Sequence, residues 1–316
     1  MDAAAEPNSL ANLDPELADF IAILPPMADA LEDVGAARAM LASMMPAGPV
    51  PGEEDLDITD ELAPAETDVP VRVYRPRGIS GDLPGLLYIH GGGFCIGDAA
   101  SEQRGAVLLA RRLGAIVVNV DYRLAPEHPH PAPITDCYAG LEYLAGLDGV
   151  DTSRLVVHGN SAGGGLAAAV ALMARDRGGP ALSFQSLGIP VLDDRMDTPS
   201  MTTFTDTPLW SRKQAVKSWE YYLGDGEADQ YAAPARAEDL TGLPPAYVVT
   251  GELDPLRDEG LTYAMRLLAA GVSTEVHNYP GAVHGSSIVP ASTVAKRMEA
   301  ELLHVLARAL GVTQPA

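Results

Sequence analysis

A chain of 316 residues with 47% hydrophobic content can bury a large core, as two domains or as one large α/β domain. Its 21 Lys and Arg face 43 Asp and Glu, a formal net charge of −22 that repels nucleic-acid phosphates and anionic lipid headgroups. With only Cys95 and Cys137, a disulfide framework is excluded.

In chain order, the first twenty residues carry acids but no Lys or Arg, so they lack the positively charged region that opens a signal peptide. The longest apolar stretch, at 163–174, falls short of the ~20 residues of a membrane span. A cytoplasmic protein that binds neither nucleic acid nor membrane is the expectation. Residues 1–50 read as N-terminal helices, PELADFIAILPPMADALED and GAARAMLASMM, interrupted at Pro25–Pro26 and closed by PAGPVPG.

From residue 51 to 316 short β-rich runs alternate with helical stretches. The runs are VPVRVYRP, GLLYIHG, AIVVNVDY, RLVVHGN, LSFQSLGIPVL, PAYVVTGE and STEVHNYP. Most are followed by helical stretches of ~10–15 residues or more, from SEQRGAVLLARRLG to TVAKRMEAELLHVLARALG. This rhythm predicts βαβ units and a mainly parallel sheet covered on both faces. Residues 195–235, which hold both tryptophans, break it and are too long for a simple connection. We expect them to form a cap together with the N-terminal helices.

Three local signals carry chemistry. Gly159-Asn160-Ser161-Ala162-Gly163 lies between an apolar run and an Ala-rich helix, the strand–turn–helix setting of a nucleophile elbow. Small residues at 159 and 163 let the turn close, which exposes Ser161 at a helix N-terminus. Next, His90-Gly91-Gly92-Gly93-Phe94 follows a strand. Three glycines there make poor structure unless the backbone must approach something closely, and no Gly-Lys-Ser/Thr follows to suggest a phosphate loop. The reading is an oxyanion hole, with backbone N–H groups aimed at a tetrahedral intermediate and Ala162 adding one more.

An elbow serine also needs an imidazole and an orienting carboxylate, in the order Ser, Asp/Glu, His. Asp254 follows PAYVVTG and His284 follows STEVHNY, each on a loop at a strand's carboxyl end. Glu252, Asp258 and Glu259 compete for the acid role. His158, His277 and His304 read as architecture, packing, and a surface or core position of the last helix.

Together these residues resemble the hormone-sensitive-lipase-like esterases, also called bacterial lipolytic family IV, within the α/β-hydrolases. The matching stretches are HGGGF at 90–94, DYRLAPEHPHPAP at 121–133, GNSAGG at 159–164, DPLRDEG at 254–260 and the His-Gly at 284–285. The resemblance implies an eight-stranded, mostly parallel sheet flanked by helices, a helical cap, and hydrolysis of short- to medium-chain carboxylic esters without metal or cofactor. It implies Ser161 as nucleophile, Asp254 as orienting acid, His284 as base, and Gly92, Gly93 and Ala162 as oxyanion donors. Phe94 is a candidate for substrate contact. The expected partner is a small-molecule ester, and a homodimer through the last strand is common in the family. Asn160 stands where many relatives have Asp or Thr, and His130 replaces a frequent aromatic. Glu127 and His128 receive no chemistry. The alternatives are an amidase or deacetylase on the same triad, and a non-catalytic ligand-binding relative.

Overall fold

A computed structural model of the chain describes residues 10–24, 29–44 and 48–313. The expected break at Pro25–Pro26 and the start of the PAGPVPG linker lie outside the described residues. The strands are β1 (Leu56–Ala63), β2 (Val69–Pro76), β3 (Leu83–Ile89), β4 (Ile116–Val120), β5 (Val150–Asn160), β6 (Phe184–Gly188), β7 (Ala246–Gly251) and β8 (Thr274–Tyr279). The helices are α1 (Pro15–Ile21), α2 (Val34–Met44), α3 (Gln103–Leu113), α4 (Ala132–Gly146), α5 (Ala162–Arg177), α6 (Pro199–Thr203), α7 (Arg212–Leu223), α8 (Arg257–Ala269) and α9 (Thr293–Leu310).

The eight strands form one sheet in the order β1-β2-β4-β3-β5-β6-β7-β8. Pairing is antiparallel from β1 to β2 and from β2 to β4, and parallel across the rest. This is the α/β-hydrolase fold. Its central strands are apolar because both faces are covered: β3 and β4 are buried along their whole length. One face packs on α3 and α9 through Tyr74, Val107, Leu113, Leu306 and their neighbours. The other packs on α4, α5 and α8.

Strand β1 is absent from the elements the sequence predicts, whereas helix α5 is among them; the sequence of each has a physical reason. Strand β1, LDITDELA, alternates acids along an exposed edge, with only Leu56 and Ala63 buried at its ends. An edge strand needs no apolar face of its own, so its sequence carries no hydrophobic signal. Helix α5 is buried from Ala162 to Ala174, without an amphipathic stripe. Its glycines let it sit almost on the sheet backbone, since a Cβ on Gly163 would lie 2.1 Å from the carbonyl oxygen of Ile89 in β3.

Between β6 and β7 the chain leaves the sheet and forms α6 and α7. The short turn Ala30–Glu32 packs on α7. Arg38 on α2 ties this layer to the sheet domain, donating to the carbonyls of Cys95 (2.8 Å) and Ala125 (3.0 Å) and to both oxygens of Glu127 (2.8 Å each). Glu127, to which the sequence assigned no chemistry, is thus the carboxylate of an ion pair with α2. Among the described residues no helix is long and apolar enough to cross a membrane.

Candidate active site

Ser161 stands between β5 and α5, at the helix's N-cap, with φ 58° and ψ −122°, a region that non-glycine residues rarely enter. The strain is held from several sides. Ser161 N–H donates to the Gly188 carbonyl at 2.8 Å, and its own carbonyl accepts from Gly165 and Val191 at 3.0 and 3.1 Å. The elbow closes because its flanking residues lack side chains. A Cβ on Gly159 would lie 2.2 Å from the Gly163 oxygen, and one on Gly163 would lie 2.1 Å from the Ile89 oxygen.

Asp254 and His284 reach the same point from the loops after β7 and β8. His284 Nε2 lies 2.9 Å from Ser161 Oγ, and His284 Nδ1 lies 2.8 Å from Asp254 Oδ2. The second Asp254 oxygen accepts from Leu256 N–H at 2.8 Å. All three side chains are buried, Asp254 completely. With the carboxylate accepting at Nδ1–H, Nε2 keeps a lone pair toward the serine, so the imidazole can take its proton.

The competing acids are engaged elsewhere. Glu252 binds Gly281 N–H at 2.7 Å and Asn12 at 3.0 Å, fixing the loop that carries His284. Asp258 accepts from Ser200 N–H and Arg257, while Glu259 accepts from Leu192 N–H at 2.7 Å. His158 is buried against Ser186, and burial holds its pKa near 4. His277 sits in β8 edge-on to Tyr247, and His304 is exposed on α9.

The glycine loop runs beside the elbow. Gly92, Gly93 and Phe94 all have positive φ (112°, 56° and 61°), and a Cβ on Gly92 would meet the Ile96 oxygen at 2.0 Å. Every carbonyl from residue 91 to 95 is occupied. Gly91 O accepts from His90 Nδ1 (2.7 Å), Gly92 O from Cys95 and Ile96 N–H (3.0 Å each), and Gly93 O from Ser218 Oγ of α7 (2.7 Å). Phe94 O accepts from Ala125 N–H (3.0 Å), and Cys95 O from Arg38. By contrast, no hydrogen bond among the described residues uses the N–H of Gly92, Gly93 or Ala162. A loop whose acceptors are spent and whose donors are free can bind an oxyanion.

His90 serves the loop's architecture, stacked on Tyr122 with ring centres 4.1 Å apart; burial brings its pKa to about 4. The Phe94 ring is only 1% exposed, stacked on Tyr222 of α7 at 3.8 Å. His130 reaches the same aromatic group, edge-on to Tyr222 with its Nε2 3.3 Å from Asp229. Trp210, just before α7, stands 5.8 Å from the His284 ring and contacts Gly93 closely enough to bar a Cβ there (2.6 Å).

Trp210, Ser218 and Arg38 surround the site without having been singled out in the sequence. Each acts across 57 to 125 residues of chain, a separation that leaves no local pattern. Among the described residues no three His, Cys, Asp or Glu side chains stand together as a metal site.

The match to known proteins extends through this region. Residues 86–287 match the Abhydrolase_3 family, described as an alpha/beta hydrolase fold. The carboxylesterase NlhH of Mycobacterium tuberculosis is 40% identical over 297 residues, 90% of this chain and 93% of the relative. Arylacetamide deacetylase of Oryctolagus cuniculus is 33% identical, covering 75% of this chain and 76% of its own. Among solved structures, a bacterial heroin esterase superposes with a TM-score of 0.90 at 47% identity, over 95% of this chain and 99% of the other.

Proposed function

The chain belongs to the α/β-hydrolase family, among its hormone-sensitive-lipase-like esterases, and from that premise we propose that it is a serine carboxylesterase for short- to medium-chain esters. His284 Nε2 takes the Ser161 proton as Oγ bonds to the ester carbonyl carbon. Charge on the carbonyl oxygen rests on the N–H groups of Gly92, Gly93 and Ala162. The C–O bond to the alcohol breaks, and the imidazolium gives its proton to the departing oxygen. A water then gives a proton to Nε2 and attacks the acyl carbon, and collapse returns the proton to Ser161 and frees the acid. Asp254 stays ionised and holds the imidazole in the required tautomer. No step draws on a metal or cofactor.

The observation that carries this reading is the pair of hydrogen bonds, 2.9 Å and 2.8 Å, that join Ser161 to Asp254 through His284. In the same proposal the described N-terminal residues, 10–24 and 29–44, act with 195–235 as a cap over the site, with α7 bonded to the oxyanion loop through Ser218. Phe94 then shapes the pocket from behind, through the aromatic group it forms with Tyr222. A homodimer through the open edge of β8 completes the proposal, and sedimentation velocity measures it.

Initial rates on p-nitrophenyl acetate, butyrate, octanoate and palmitate, for wild type and Ser161→Ala, test the activity. The proposal predicts turnover of the shorter esters that disappears in the mutant. Equal rates in both proteins would refute it. Anilides of the same acids belong in the series, because the same steps could cleave an amide and one relative is named a deacetylase.

A further inference from the structure

Below the oxyanion loop lies a polar chain that the acyl-transfer steps leave unused. Tyr88, near the end of β3, is 3% exposed, and its hydroxyl donates to Glu102 Oε2 at 2.8 Å. Helix α3 leaves room for the phenol at Gly105, where a Cβ would lie 2.7 Å from the hydroxyl oxygen. The Glu102 carboxylate also interacts with the Gly91 N–H, and the Asn160 side chain with the Tyr88 oxygen.

Gly91 thus has a polar neighbour on each side: the Glu102 carboxylate faces its N–H, and His90 Nδ1 donates to its carbonyl at 2.7 Å. It also touches the elbow. A Cβ on Gly91 would lie 3.0 Å from the Asn160 carbonyl oxygen and 3.5 Å from Ser161 Cβ. Any shift of Gly91 is thus a shift of the adjoining Gly92 and Gly93 N–H groups relative to the nucleophile.

Resting on the esterase reading, we infer that Glu102 is a positioning residue of the oxyanion hole, acting through Tyr88 and Gly91 to set the loop's distance from Ser161. Asn160 fits the same chain. The Tyr88 hydroxyl has given its proton to Glu102, so its oxygen can only accept, and an amide can donate to it. A carboxylate at 160 would set acceptor against acceptor.

The test measures kcat and KM on p-nitrophenyl butyrate, and the affinity for a trifluoromethyl ketone whose adduct with Ser161 carries an oxyanion. In Glu102→Ala, kcat should fall about 10- to 100-fold, since displacement of about 1 Å can cost 10²-fold. KM should stay within about threefold, and ketone affinity should fall in parallel with kcat/KM. Glu102→Gln, which keeps an acceptor, should recover most of the loss. Asn160→Asp should lower kcat, and adding Glu102→Gln to it should relieve part of that loss.

Unchanged kcat in folded Glu102→Ala would overturn the inference, as would a fall in kcat without a fall in ketone affinity. If that variant does not fold, Tyr88→Phe cuts the same chain by one hydroxyl and must show the same split. A wild type inactive on every ester would instead defeat the esterase reading beneath it.

Discussion

The elbow makes its strongest quantitative demand at Gly163. In Gly163→Ala the new methyl would lie 2.1 Å from the Ile89 oxygen and 2.5 Å from the His90 oxygen, both main-chain atoms. Ordinary C···O contacts begin near 3.3 Å, so roughly 1.2 Å must open between α5 and the end of β3. Neither neighbour is a flexible side chain that could swing away. The displaced atoms lie directly before the glycine loop, so the opening separates Ser161 from the N–H groups of Gly92 and Gly93. Misplacement by about 1 Å costs on the order of 10²-fold in rate, and loss of a single oxyanion donor costs 10²- to 10³-fold. Overpacking adds about 1–3 kcal/mol of destabilisation, a Tm drop of roughly 2–5 °C at this chain length. Gly146→Ala is the internal control. That glycine ends α4 with nothing within 4 Å of its added Cβ, so alanine should be neutral or stabilising by up to about 1 kcal/mol. Stopped-flow or steady-state kcat with p-nitrophenyl butyrate, alongside thermal unfolding, reads both variants. Gly163→Ala with kcat within about threefold of wild type and an unchanged Tm would refute the steric account of the elbow.

Three further outcomes follow from the site and its surroundings. Asp254→Asn should lower kcat by about 10⁴-fold with little change in fold, because an amide in place of the fully buried carboxylate leaves the imidazole in the wrong tautomer. A fall below tenfold in pH-matched kcat measurements would contradict the role given to Asp254. Cys95 and Cys137 are buried, and burial pushes the Cys95 thiol up to about 12, so iodoacetamide on the native protein should leave esterase activity intact. Rapid inactivation with mass-mapped modification of Cys95 would show that the loop opens.

Glu259 supplies a pH test. Burial, reinforced by the Asp193 and Asp254 carboxylates, holds its carboxyl well above the usual 4.5. The folded chain therefore binds this proton more tightly than the unfolded chain. The stability that Glu259 contributes is present below 4.5 and is lost as pH rises through the folded-state value. The Tm of wild type minus that of Glu259→Gln should thus fall steadily from pH 4.5 upward. A difference independent of pH would exclude the shift.

How far the sequence could be read depended on the range of the interaction. The elbow is a local event: strand, glycine, serine, small residue and glycine lie within one short segment, and the steric need for Gly159 and Gly163 is visible in their spacing. The glycine loop is equally local, because positive φ at Gly92 and Gly93 favours glycine at two adjoining positions. Asp254 and His284 were legible as loop residues after strands. Strand β1 was not, since an acidic edge strand shows no apolar face. Arg38, Glu102, Trp210 and Ser218 were not legible either. Each matters through one contact with the loop or its supports, made by a side chain from another element, and no periodicity marks such a pairing. Glu127 illustrates the same limit: its motif was plain in the sequence, but its partner on α2 was not.

The most direct test of the account is to treat the folded wild type with a fluorophosphonate probe and map the modified peptide by mass spectrometry. An activated serine attacks phosphorus and displaces fluoride, while an unactivated one does not react. The account predicts a single adduct on Ser161, formed rapidly in wild type and suppressed in His284→Ala, which retains the serine but lacks its base. No adduct on Ser161, or one that forms equally fast without His284, would contradict the claim that this serine is the nucleophile.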